Sequence, residues 1–217
     1  ANQNQLDEFK QNNIYGIEQD SEVVALALVN MIFRGDGKNN IDEGNSLVKK
    51  IPVLATKVLM NPPFALKKDD EKEYEFIDKA LLQMEDGGLM FVIVPSTIMF
   101  KGKKFKQWRQ KLLAGNTLEA VLKLPEDLFY PVGVHTSAVI IRKGVPHNKK
   151  QDVFFAYLTD GYTKKKGIMK PTGNGNIDTI KSSVKDFLSG STGLVRSKPK
   201  TYILSPISPS LNPWIQT

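Results

Sequence analysis

Lys57-Val58-Leu59-Met60-Asn61-Pro62-Pro63-Phe64 decides how the rest of this chain is read. Lys57 to Met60 has the character of the end of a buried strand, and two successive prolines then forbid both helix and continued sheet. The strand must stop there, and its tip presents Asn61 and Phe64. The Asn61 amide offers an acceptor and an NH2 donor, and the Pro62 carbonyl adds an acceptor held by two locked φ angles. Together they suit an exocyclic aromatic amine. Accepting both of its hydrogens pulls the nitrogen lone pair out of ring conjugation and aims it at an electrophile. Phe64 adds a flat face for a base, an interaction of about 1–3 kcal/mol. The same four residues also read as a plain Pro-Pro turn at a strand end.

The 217 residues suffice for one α/β domain with a real core. A hydrophobic share of 41% and a charged share of 24% are ordinary for a globular protein. No apolar run approaches the length of a membrane span, Leu89 to Val94 being of strand length, and no basic-then-apolar leader is seen, so a cytoplasmic protein without a membrane span is expected. Cys is absent, which excludes disulfides, thiolate metal sites and cysteine nucleophiles, and two His without a matching ligand cluster argue against a metal site. Lys and Arg number 30 against 23 Asp and Glu, giving a net charge of +7 and a pI near 9.4. That balance admits a nucleic-acid partner without requiring one.

Upstream of the tip, residues 1 to 13 read as a polar loop or a ragged helix end. Ile14 to Glu18 follows as a short strand, and Asp20 or Ser21 caps a helix through Val23, Val24, Leu26, Leu28, Met31 and Ile32 that stops near Gly35. Strand, acid and helix make half of a βαβ unit, and in nucleotide-binding α/β folds an acid at such a tip accepts from ribose hydroxyls. Glu18 holds that place, and a solvated carboxylate is the plainer reading. A short strand near Asn40 to Glu43 leads to a second polar tip, Gly44-Asn45-Ser46, able to reach an adenine amine or simply to turn.

Downstream, Lys67 to Lys72 is a charged loop, and the helix behind it carries an apolar stripe at Tyr74, Ile77, Leu81 and Met84, ended by Gly87-Gly88. Leu89 to Val94, broken by Pro95, reads as a strand covered on both faces. Strand, helix and strand in this order predict a parallel sheet with right-handed crossovers. Lys101, Lys103, Lys104, Lys106, Arg109 and Lys111 follow with no acid among them, alongside Phe105 and Trp108. Phe105, Trp108 and Leu112 share one helical face, so the aromatics are expected to pack inward. The basic group either contacts phosphate or is merely solvated.

Leu118 to Leu124 and Ser137 to Arg142 predict an antiparallel hairpin. Their connection, Pro125 to Thr136, has the prolines and aromatics of a shaped lip, in which His135 either lines a pocket or faces solvent. Val153 to Leu158 is the last strand expected. Residues 161–217, with Lys164-Lys165-Lys166 and prolines at 199, 206, 209 and 213, read as a linker or docking arm interrupted by one amphipathic helix near Ile177 to Leu188. Residues 1–160 then form one domain.

With these motifs in order, the sequence resembles the amino (N6-adenine) DNA methyltransferases that use S-adenosylmethionine, especially the modification subunit of type I restriction-modification systems and its relatives. The resemblance covers about Ile14 to Tyr162. It implies an α/β fold with a Rossmann-like class I methyltransferase sheet, mostly parallel with an antiparallel hairpin. Asn61, Pro62, Pro63 and Phe64 match the catalytic motif, and Glu18 matches the ribose-binding acid. Asn45 falls where the family contacts the cofactor adenine, and Phe76 where a helix aromatic borders the cofactor. Gly87 through Ser96 match the following strand and its tip. Phe129, Gly133 and Thr136 resemble the segment closing over the target base.

Two departures accompany this likeness. Asn45 stands where an acid is usual, which implies weakened cofactor binding. The Gly-rich loop that cradles the methionine end of the cofactor, after the first and central strand, has no counterpart, since Gly16 is the only glycine before Gly35. The resemblance thus implies that residues 1–160 are a partial catalytic domain. The expectation is a partial sheet with its first central strand missing, and a chain inactive by itself. The implied function is S-adenosylmethionine-dependent methylation of adenine N6 in DNA, with the base flipped out of the duplex. Lys101, Lys103, Lys104, Lys106 and Arg109 are expected on the DNA, and a specificity subunit or recognition domain and a restriction subunit as partners. Methylation of a protein glutamine or of RNA, and a non-enzymatic DNA-binding module, are the alternatives.

Overall fold

In the computed structural model, which describes residues 2–35, 40–64, 72–126, 128–129, 133–165, 168–171, 173, 175–190 and 201–204, the side chains of 162–169 and 201–204 excepted, the polar opening is a helix, α1 (Gln3–Asn12). Asn2 makes it one. Its side chain accepts from the Gln5 N–H at 2.9 Å while the Gln5 side chain accepts from the Asn2 N–H at 3.2 Å, a reciprocal cap that satisfies two orphan donors. The charged loop 67–71, Pro131 and Val132 lie outside the described residues.

The chain groups into two units, Ala1–Leu54 with Asp78–Gln83, and Ala55–Ile77 with Met84–Thr217. In the first, β1 (Gly16–Glu18), α2 (Ser21–Phe33) and β2 (Ile41–Glu43) form the expected βαβ unit, with Gly16 opposite Ile41 and Glu18 opposite Glu43 in a parallel pair. The Asp20 carboxylate accepts from the N–H groups of Glu22 and Val23 and so starts α2. Gly35, at φ +72°, lets the chain leave it. The helix is apolar nearly all round, yet Val24 alone is buried, and Leu26 and Phe33 are exposed.

The second unit is built on β3 (Ala55–Met60), β4 (Met84–Pro95), β5 (Thr117–Lys123), β6 (Thr136–Arg142), β7 (Val153–Tyr157) and, after a separate antiparallel pair β8 (Tyr162–Lys165) and β9 (Ile168–Pro171), β10 (Thr201–Leu204). These six strands form one sheet in the order β10-β7-β5-β6-β4-β3. β3 pairs parallel with β4 and β5 with β7, while β6 is antiparallel to both β4 and β5, and β10 to β7. Four strands therefore share one direction. The expected hairpin of β5 and β6 is present, inserted so that β6 lies between β4 and β5.

One boundary differs from the sequence expectation. The stripe through Tyr74, Ile77, Leu81 and Met84 is helical only as far as α3 (Glu73–Leu81), and Met84 opens β4 opposite Ala55. The pairing then moves to Lys57 opposite Leu89, so β4 bulges through Glu85–Gly88. Gly87 has φ +81°, and a Cβ on Gly88 would stand 2.9 Å from the Glu85 carbonyl oxygen and 3.0 Å from that of Thr56. These glycines serve the bulge rather than a helix end.

The core runs along β5, β6 and β7, where Leu118, Ala138 and Phe154 are fully buried. α4 (Lys104–Gly115) lays Trp108 and Leu112 inward, and Tyr74 of α3 meets Trp108 and Phe105 at ring-centre distances of 5.8 and 5.7 Å. α5 (Ile177–Leu188) buries Ile180 and packs Val184, Phe187 and Leu188 on the same core, with Phe187 5.7 Å from Phe154. α5, at the place expected for the one helix in residues 161–217, and β10 lie in the second unit. No helix among the described residues is long and apolar enough to cross a membrane.

Candidate active site

β3 ends at Met60, opposite Val92 of β4, and the chain turns out at the carboxyl edge of the sheet as Asn61-Pro62-Pro63-Phe64. Pro62 is buried and Asn61 is exposed, so the second residue of the tip is anchored while the first faces outward. The Asn61 amide bonds to no described residue. The ring of Phe64 meets that of Phe129 edge to face, with centres 5.4 Å apart, an arrangement that aromatic quadrupoles favour. Phe129 itself rests on the core beside Leu128. The connection from β5 to β6 therefore reaches back to the tip of β3, and the sequence-predicted Phe64 and Phe129 are brought together.

The same edge carries buried hydroxyls. Leu124 N–H donates to the Thr136 carbonyl at 3.1 Å, and Ser96 N–H to the His135 carbonyl at 2.7 Å, which fixes both ends of the connection. Ser96 and Ser137 hydroxyls lie 2.9 Å apart. Thr136 is fully buried, and its hydroxyl oxygen has no hydrogen-bond partner among the described residues. Gly133 is exposed with open space around it, and His135 pairs with Glu126 at 3.2 Å on the surface. The Ser96–Ser137 pair had no signal in the sequence beyond its place at a strand tip.

In the first unit, the tips of β1 and β2 bring Glu18 and Asn45 side by side, since the Gly44 N–H donates to the Glu18 carbonyl at 2.8 Å. Glu18 Oε1 accepts from the N–H groups of Gln19 and Asp20 at 2.7 and 3.0 Å, leaving Oε2 free of described partners. Asn45 Oδ1 accepts from the Leu47 N–H at 2.8 Å, so its Nδ2 is the group left to face outward. Phe76 is half-buried on α3 in the second unit.

The basic helix divides in two. Lys101, Lys103, Lys104 and Lys106 are exposed. Arg109 is buried, and its Nη1 donates to the carbonyls of Ile98 and Lys101 at 2.7 and 3.0 Å. Burial lowers its pKa below the ordinary arginine value, though a guanidinium stays charged regardless. Expected on DNA, Arg109 is spent on the protein's own backbone. The helical spacing from Phe105 placed it one position past Trp108, and that position also faces inward.

Comparison with known proteins adds the family. The N-6 DNA Methylase family profile matches residues 2–197. The chain belongs to the N-6 DNA methylase family. Within that family it is 35% identical over 177 residues to the type II restriction enzyme and methyltransferase RM.BcgI of Heyndrickxia coagulans, covering 77% of this chain and 28% of the relative. It is 27% identical over 150 residues to the EcoKI type I methylase subunit of Escherichia coli K12, covering 58% of this chain and 27% of the relative. The chain thus spans about a quarter of the length of the curated relatives it matches. Among solved structures, one of a type I restriction-modification system aligns over 94% of this chain and 46% of its own, with TM-score 0.72 and 18% identity. A class I S-adenosylmethionine-dependent methyltransferase from Listeria monocytogenes aligns over 85% of this chain and 58% of its own, with TM-score 0.61 and 20% identity. Both share the fold of this chain.

Proposed function

We propose that this N-6 DNA methylase chain carries the target-amine site for S-adenosylmethionine-dependent methylation of adenine N6 in DNA. The observation that supports it most is the Asn61 amide, without a partner among the described residues, on a tip anchored by buried Pro62, beside the ring pair of Phe64 and Phe129. The Asn61 amide oxygen and the Pro62 carbonyl accept the two N6 hydrogens and so raise the electron density on nitrogen. Phe64 stacks on the extruded base and Phe129 fixes the plane of Phe64. The Thr136 hydroxyl, buried without a partner, is the group to meet a polar edge of the base, and Gly133 leaves that side open.

The donor set of the first unit fits the cofactor. Glu18 Oε2 is free to accept from ribose hydroxyls, and Asn45 Nδ2 is placed to donate to a ring nitrogen of its adenine rather than to accept from the amine. When bound, S-adenosylmethionine supplies an electrophilic methyl group on a sulfonium. The residues above contribute by position, without a covalent nucleophile.

Lys101, Lys103, Lys104 and Lys106 contact phosphates, and a specificity subunit and a restriction subunit are the proposed partners, a reading supported by the likeness to the EcoKI methylase subunit of a type I restriction enzyme. The test is transfer of labelled methyl from S-adenosylmethionine to duplex DNA by the protein expressed from its own gene, with and without Asn61→Ala. Loss of roughly a hundredfold in rate with DNA binding retained is expected. Label arriving on protein glutamine or RNA instead, or transfer indifferent to Asn61, overturns the reading.

A further inference from the structure

The loop between the 3-10 turn Ser96–Met99 and α4 presents an aromatic that neither the core nor the proposed base site uses. Phe100 is 61% exposed and is followed by Lys101, Gly102, Lys103 and Lys104. A free phenyl ring in water normally marks a contact surface or a mobile loop. This loop is held on both sides of the ring. Buried Arg109 grips the carbonyls of Ile98 and Lys101, and the N–H groups of Phe100 and Lys101 both donate to the Thr97 carbonyl, at 3.2 and 2.9 Å. Lys101 leans over the Phe105 ring at 5.7 Å. Lys103, at φ +52°, is the only non-glycine with positive φ among the described residues. A buried guanidinium therefore braces a loop whose most prominent side chain stays in solvent.

We propose that Phe100 is a base-contacting wedge, inserted into the DNA stack where a base has been drawn out while the flanking lysines rest on phosphates. This builds on the DNA reading above. Charge and place choose the occupant. The ring sits within a run of cations that suits a polyanion, and apolar wedges such as Phe enter opened base steps. β3 and β4 are adjacent and parallel, so the loop after β4 and the Asn61 tip after β3 leave the same edge of one sheet. Arg109 is a positioning residue that acts through the loop backbone.

The test is fluorescence anisotropy of the protein expressed from its own gene on an intact duplex and on the same duplex carrying one abasic site. The wild type is expected to favour the opened duplex by on the order of tenfold, as one base-sized stacking contact allows. Phe100→Ala should abolish that preference with the salt dependence of binding unchanged, and Phe100→Trp should keep it. Arg109→Lys should weaken the preference without altering the salt slope. If Phe100→Ala keeps the preference, or the wild type has none, the wedge is wrong, even where Lys101→Ala with Lys104→Ala weakens binding and so upholds the phosphate contacts. If that double lysine variant binds as the wild type does with no salt dependence, the DNA reading and the wedge fall together.

Discussion

β5 and β3 lie in one sheet yet meet opposite environments. β5 is buried at every position from Thr117 to Leu122, whereas β3 leaves Thr56, Lys57 and Leu59 exposed, Leu59 at 84%. The interior strand is held by side chains on both faces. The edge strand is held chiefly by its backbone ladder to β4, whose register the Gly87–Gly88 bulge sets. It is the edge strand that carries Asn61. Stability and the proposed chemistry are therefore seated at different places in the sheet, so a change at one should leave the other largely intact.

The sharpest way to break this contrast is at the interior. Phe154→Ala, which empties a fully buried site against Phe187, should cost about 3–5 kcal/mol in urea unfolding. A loss within the range of surface substitutions would show that β7 is not core. Acid should also act first on the interior side. His147 donates its N–H to the Leu113 carbonyl, has both ring nitrogens unpartnered, and is held below its ordinary pKa of 6.5 by burial, with the Glu119 charge opposing. Its neutral form favours the fold, so this contribution is complete above that pH and is lost as pH falls through the depressed value. His147→Asn should flatten the fall in thermal midpoint between neutral and mildly acid solution, and an unchanged slope would remove His147 from the account.

Thr136 stands between the two regimes, buried like the core and unpartnered like the tip. Thr136→Val should leave stability unchanged or raise it by up to about 1 kcal/mol, because an unsatisfied buried hydroxyl costs more than a methyl in its place. A clear loss in unfolding free energy would instead put the hydroxyl among the core's own hydrogen bonds. The smallest effect belongs to the edge. Leu59→Ser should change stability by no more than about 0.5 kcal/mol, and a larger fall would mean that β3 is covered in solution.

Much of the site was legible because its signals are local. Two prolines stop a strand wherever they occur, Asp20 starts a helix through its own neighbours, and Glu18 follows from strand, acid and helix in a row. The Phe64–Phe129 contact was not legible as such, since it joins residues 65 positions apart in the chain. Arg109 was misplaced because composition groups it with lysines, while helical phase and two backbone carbonyls group it with Trp108.

The amino-acid sequence by itself determined where strands end and which polar groups stand at their tips, because proline geometry, capping and alternation act over a few residues. Only the tertiary structure decided that Met84 begins a strand, that Arg109 faces inward, and that α5 closes over β7. Each of those outcomes turns on a partner distant in sequence: the β3 backbone for Met84, the loop carbonyls for Arg109, and Phe154 for α5. Local preference cannot see these partners, and burial against them outweighs it.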